Sequence, residues 1–279
     1  MTGDDIMDSM TQPEKAAVLR KLHGGPSVLL LPNVWDAASA RIVERAGFPA
    51  VASSSAGIAF ALGYPDGEAI PPAGMLEQIR RIARAVAVPV SADLEAGYGD
   101  IEQTAEGLME AGAVGLNLED FQGGALIPLP AQLEKIRAVQ RIGERTGVPI
   151  VINARTDIYL EQIGDPAARF ERAVERLSAY RDAGADCLFV PGVRDEETIS
   201  RLVAALRFPL NILGGPGVPP VSRLQELGVA RVSLGSGPMR AAMGLMRRIA
   251  EELRDAGTYT RMLADPVTYP EANALMRAQ

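Results

Sequence analysis

Eight apolar runs of strand length recur along the chain, at 28–33, 50–53, 89–93, 114–119, 149–154, 186–190, 209–213 and 230–234. Stretches whose apolar residues follow the helical period alternate with them, at 36–46, 72–86, 101–111, 131–146, 166–183, 196–206, 219–227 and 238–256. Strict alternation of this kind points to a parallel sheet with covered faces, and eight strands is the count at which such a sheet closes on itself. The expected fold is an α/β (β/α)8 TIM barrel. Such a barrel takes about 250 residues as one unit, so residues 1–279 are expected to form a single domain. The rival fold, an open doubly wound sheet, would want a G-x-G-x-x-G turn after an early strand. Here the first run leads into Pro32, Asn33, Val34, Trp35 and Asp36 instead. Segment 1–26 reads as a lead-in with a helix over 13–22, and 258–279 as a helical tail that packs on another subunit.

Boundary residues support the same division. Gly47, Gly112, Gly184 and Gly228 each close a helix shortly before the next strand, where the backbone must turn left-handed. Asp36, Asp100 and Asp165 stand at N-cap positions, and Pro72, Pro166, Pro219 and Pro238 in or near first turns.

Composition narrows the function. One cysteine (Cys187) and one histidine (His23) exclude an intramolecular disulfide framework and a Cys/His zinc cluster. A Ser-His-Asp or Cys-His mechanism is equally disfavoured. Cys187 sits inside the sixth strand, where a small buried hydrophobe is expected, and His23 lies before the first strand, at the mouth opposite the chemistry. A net charge of -7 without basic clusters argues against nucleic acid and acidic membranes as partners. The polar, acidic start and the lack of a long apolar stretch lead us to expect a cytoplasmic protein.

Barrels of this class place their chemistry at the C-terminal ends of the strands. Asp66 follows strand two, Asp93 and Glu95 strand three, Glu119 and Asp120 strand four, and Asn153 and Arg155 strand five. Any one of these acids reads most simply as a helix cap or a surface ion pair. Together they would repel one another unless a cation lay among them, and oxygen ligands without His or Cys suit Mg2+ or Mn2+. Asp93, Leu94 and Glu95 put two carboxylates on one side of an extended chain, and Gly97 and Gly99 allow close approach of backbone to ligand.

These segments resemble the isocitrate lyase/phosphoenolpyruvate mutase superfamily. The resemblance runs from the segment at 32–37 through Gly47 and Phe48, 52–57, 62–66, 93–99, 117–120 and 153–157 to 228–233. It implies a metal-dependent enzyme acting on a small 2-oxo or 2-hydroxy carboxylic acid through an enolate. By that pattern Asp93 would bind the metal directly, while Asp66, Glu95 and Glu119 would hold metal-bound waters. Arg155 would grip the substrate carboxylate, with Ser54, Ser55, Ala56 and Asn153 also on the substrate. Many members carry aspartate where this chain has Glu95, whose carboxylate reaches about 1.5 Å further. The resemblance also implies a homotetramer, a dimer of dimers that exchanges final helices.

One departure bears on the reaction. The superfamily's isocitrate and methylisocitrate lyases carry a Lys-Lys/Arg-Cys-Gly-His gate after strand four. Here the gate, 121–130, is short and holds no lysine, cysteine or histidine. Decarboxylation of an oxaloacetate-like acid needs no protein base to begin, only an electron sink and a proton donor. Arg155 and Glu119 are therefore the expected catalytic groups, with Tyr64 or a metal-bound water as donor. Related C–C cleavage ranks with decarboxylation, phosphonate P–C chemistry ranks below them, and a non-catalytic carboxylate-binding barrel is the alternative from another class. Phe121, Leu126, Ile127, Leu129 and Trp35 are expected to close over the mouth and select the substrate. The glycines at 214–217 and 235–237 fit either phosphate binding or plain turns, and the methionines of the last helices read as packing.

Overall fold

The computed structural model describes residues 10–277. The first nine residues of the lead-in, including part of its acidic start, and the last two of the tail lie outside them. Nine strand segments form one parallel sheet in the order β1-β11-β10-β9-β8-β5-β4-β3-β2. Two of them are halves of a single run. β1 (Leu29–Leu31) pairs with β11 (Arg231–Ser233), and β2 (Asn33–Val34) pairs with β3 (Val51–Ser53). Pro32 divides them because it has no N–H to donate, although its carbonyl still accepts from Ala52 N–H at 3.3 Å. The run thus joins both edges of the sheet, and the cylinder closes there.

Around the barrel, β4 (Val90–Asp93), β5 (Gly115–Glu119), β8 (Val151–Arg155), β9 (Cys187–Phe189) and β10 (Leu210–Leu213) fall on the expected runs. The helices are α1 (Gln12–Leu22), α2 (Ala37–Arg45), α3 (Ser55–Leu62), α4 (Pro72–Ala85), α5 (Ile101–Glu110) and α6 (Leu129–Thr146). After them come α7 (Arg169–Asp182), α8 (Glu196–Leu206), α9 (Val221–Glu226) and α10 (Gly237–Ala256). Asp36 accepts from Ser39 N–H, Asp100 from Glu102 and Gln103, and Asp165 from Ala167, so each caps as expected. Gly47, Gly112, Gly184 and Gly228 have φ between 87° and 105°. Pro219 falls outside its helix, because Pro220 occupies the N-cap of α9.

Two elements differ from the sequence expectation. Residues 55–62, where no helix is expected from the sequence, form α3 behind the N-cap Ser54, and its segment SAGIAFAL is apolar on nearly every side and shows no amphipathic period. The gate folds into a small antiparallel hairpin, β6 (Phe121–Gln122) with β7 (Ala125–Leu126), too short for alternation to reveal.

The core is the barrel interior together with the layer between strands and helices. α1 shuts the end opposite the strand C-termini. Its Leu19 is fully buried, and a Cβ on Gly115 would lie 2.7 Å from the Leu19 side chain, so a residue without a side chain is required there. At the other extreme, α10 buries none of its 20 residues. α11 (Thr260–Leu263) follows it, and α12 (Tyr269–Arg277) returns to α2, where Arg41 donates to the Leu275 carbonyl at 3.0 Å. Among the described residues no helix is long and apolar enough to cross a membrane.

Candidate active site

Asp93 ends β4 and is buried. Ser55, in the first turn of α3, gives both its backbone N–H (3.1 Å) and its hydroxyl (2.9 Å) to Asp93 Oδ2. Among the described residues, Asp93 Oδ1 is buried without a partner. An anionic oxygen left bare inside a protein is costly unless a cation or water completes it. The Ser55 side chain is thus committed to Asp93, and that of Ser54 to capping α3 through Gly57 N–H at 3.1 Å. Ala56 follows in the same first turn.

Glu95 lies two residues on, with left-handed φ of 49°. Its Oε1 accepts from the Tyr98 hydroxyl at 2.6 Å and its Oε2 from Glu68 N–H at 2.5 Å. Glu68 in turn accepts from Tyr98 N–H and from Gln122 Nε2 of the hairpin, each at 2.6 Å. Three loops are therefore tied together at the mouth. Lys135 on α6 holds the second of them by donating to the Ala96 carbonyl at 2.7 Å.

Glu119 and Arg155 end the next two strands and form an ion pair at 2.8 Å. Arg155 also grips Asp157 with two parallel bonds, 2.6 and 2.9 Å, and lies over the Phe189 ring. Of the five guanidinium hydrogens, three are used and two remain for a ligand. Asn153 donates to Asn117 Oδ1 at 2.7 Å, and its own carbonyl oxygen is buried without a partner.

Electrostatics record the crowding. Burial pushes Glu95 up to about 7, with Asp93 and Asp66 adding to the rise. Burial also holds Glu119 well above the ordinary carboxylate range, reinforced by Asp157, Asp93 and Glu95 against the pull of Arg155. Asp66 lies on the exposed rim and is still raised, by partial burial and by Asp93. Burial and gathered like charges here outweigh the one guanidinium among them, that of Arg155. Among the described residues no three His, Cys, Asp or Glu groups gather closely enough to ligate one ion directly. An oxygen-only donor set with one bare buried oxygen, Asp93 Oδ1, fits Mg2+ or Mn2+ only if the other acids act across water, as magnesium commonly allows.

Asp120 does not belong to this group. It is fully buried and accepts from Arg176 Nε (2.6 Å), the Tyr180 hydroxyl (2.6 Å), Thr156 Oγ1 (2.7 Å) and Asp157 N–H (2.9 Å). Arg176 also bonds the Ile127 carbonyl at 2.7 Å, while Ile127 N–H returns to the Asp120 carbonyl. The pair braces the stem of the hairpin and the segment carrying Arg155. No sequence motif marks Glu68 or Arg176, since each meets its partners only through the fold. Tyr64 is 41% exposed on the segment that also carries Asp66.

Leu234 and Gly235 N–H both donate to Asn33 Oδ1, at 2.7 and 2.8 Å, so that glycine turn has spent the donors a phosphate would need. Cys187 is buried and pushed up to about 12 by burial. A cleft of about 430 Å³ at the closed end contains the Arg20–Asp186 ion pair and no acid of the mouth.

The model of the phosphoenolpyruvate phosphomutase family matches residues 19–254. An oxaloacetate decarboxylase of Rhodopseudomonas palustris is 32% identical, over 93% of this chain and 94% of its own. A solved Burkholderia cenocepacia protein, named only provisionally as a lyase/mutase, superposes with a TM-score of 0.89 at 38% identity, over 96% of this chain and 98% of that one. Oxaloacetate acetylhydrolase, solved with its product oxalate, superposes with a TM-score of 0.82 at 28% identity, over 94% and 93%.

Proposed function

This chain belongs to the phosphoenolpyruvate mutase/isocitrate lyase superfamily, whose members include C–C lyases and phosphomutases, and we propose that it is a Mg2+-dependent lyase of a small 2-oxo acid. Decarboxylation of an oxaloacetate-like substrate, or a related C–C cleavage, is the favoured reaction. The observation that carries this reading is the bare, buried Asp93 Oδ1 in a mouth shared with Arg155. Mn2+ would serve in place of Mg2+.

The two free hydrogens of Arg155 take the carboxylate next to the keto group, in the forked geometry that suits such a pair. Glu119 and Asp157 fix the guanidinium plane from two sides, so the substrate meets a donor already in position. Asn153 Oδ1, buried and unpaired, is the polar contact on the next strand position. When bound, Mg2+ supplies a Lewis acid for the negative charge that gathers on the keto oxygen. The bond to the departing carboxylate breaks, its electron pair moves toward that oxygen, and CO2 leaves. A proton must then return to carbon, and Tyr64 on the rim is the proposed donor. The hairpin is tied to the mouth through Gln122 and Glu68, where it would shield the site from bulk water once substrate is bound.

Incubation with oxaloacetate, substituted malates, methylisocitrate and phosphonopyruvate, with Mg2+ and with EDTA, tests this reading. Release of pyruvate or a close 2-oxo acid only in the presence of metal is expected. Full turnover in chelator would refute the metal role, and silence across the panel, with ligand-induced stabilisation intact, would favour a carboxylate-binding barrel.

A further inference from the structure

Arg231 opens β11 inside the barrel and is fully buried. Among the described residues no Asp or Glu lies within ion-pair distance of it. One terminal nitrogen donates to Asn117 Oδ1 at 3.1 Å, the other meets His23 Nε2 at 3.4 Å, and Nε has no partner. His23 is itself buried, fixed through Nδ1 to the Leu19 carbonyl at 2.8 Å, and held neutral down to about pH 3 by burial and by Arg231. A guanidinium is expensive to bury, and most proteins offset that cost with a carboxylate in contact. Here both contacts are uncharged.

The place of Arg231 accounts for this. Asn117 is the register partner of Asp93 across β4 and β5, so Arg231 lies one hydrogen bond below the level of the acidic mouth. Burial lowers the pKa of Arg231, and Cys187 and then Asp93 pull it back up, so Arg231 senses Asp93 without touching it. Contact with a carboxylate would cancel the positive charge locally, whereas neutral partners leave it free to act upward. We propose that Arg231 is a buried counter-charge for the acidic mouth, held by Asn117 and His23 so that its field reaches the carboxylates above and whatever anion binds among them.

This inference rests on the reading of the mouth as a site for Mg2+ and a dianionic acid, and it predicts opposite effects on the two. A positive charge beneath the site disfavours the cation and favours the anion. In Arg231→Met, Mg2+ should bind at least about threefold more tightly and oxalate, at saturating Mg2+, at least about threefold more weakly. Arg231→Lys should keep both near wild type. Asn117→Asp, which leaves the guanidinium in place and cancels its charge by contact, should reproduce the Met variant, so the test survives if Met at 231 does not fold. Isothermal titration of Mg2+ and of oxalate into each protein at pH 8 provides the readout. Affinities that move in the same direction, or not at all, in variants of a wild type that binds both ligands would overturn the counter-charge and leave the metal reading standing. A wild type that binds neither would overturn both.

Discussion

At the scale of single residues, Asp93 has one oxygen fully engaged by Ser55 and one with nothing to bond. Its charge raises Asp66, Glu95 and Glu119, so removing it relieves the repulsion that the apo site otherwise stores. Asp93→Ala should cut Mg2+-dependent turnover roughly a thousandfold, equivalent to about 4 kcal/mol of transition-state stabilisation. Its melting temperature should stay within about 3 °C of wild type. A large fall in melting temperature would assign Asp93 to the fold instead. Tyr64→Phe should slow turnover with oxalate affinity unchanged. His23 sets an acid limb in the stability profile. Its folded pKa, about 3, lies below the unfolded 6.5, so the unfolded chain takes up a proton that the native state refuses. The contribution of His23 is therefore complete above pH 6.5 and declines as pH falls toward 3, while Glu95, Glu119 and Asp66, raised in the fold, gain stability on protonation and oppose it. Between pH 8 and pH 5 the His23 share should be about 2 kcal/mol, read as the difference between wild type and His23→Gln in urea titrations. Of the candidate site, the gathering of Asp93, Glu95, Glu119 and Arg155 at one mouth was legible because strand ends in a barrel face the same way. Asp120 was not separable from them, because its partner Arg176 stands 56 residues away and nothing local announces it.

At the scale of elements, the eight strands were readable because a buried parallel strand is a short apolar run between punctuating residues, and the capping aspartates and closing glycines supplied the punctuation. α3 escaped because a helix with small apolar residues all round has no periodic face to detect. The division at Pro32 and the hairpin escaped for a related reason, since two- and three-residue strands are shorter than any period. That hairpin depends on one buried pair. Arg176 joins Asp120 before it to Ile127 after it, and Asp120 also holds the segment behind Arg155. Arg176→Met leaves a buried carboxylate short of its cation and should cost about 3–5 kcal/mol. Hydrogen exchange over 120–127 should accelerate beyond the global change, and oxalate affinity should fall with it. Uniform exchange would show that the brace serves the barrel as a whole.

At the scale of the whole molecule, α10 is the element out of place. A 20-residue helix with Met243, Met246 and Leu253 on one exposed stripe, 48%, 64% and 43% accessible, has no reason to stand free. We expect that stripe to be covered by another copy in a dimer of dimers. Sedimentation should report an assembly for the wild type, and Met246→Glu should shift it toward the single chain. A monomeric wild type would leave the stripe to some other partner. The closed end of the barrel has a consequence of a different kind. The lead-in helix that stoppers it leaves the ribosome before any strand of the barrel, but the surfaces it seats against are Gly115 and, through His23, Arg231. Its docking onto Arg231 must wait until more than two hundred further residues have been translated, so the nascent chain completes its interior only when the last strand emerges.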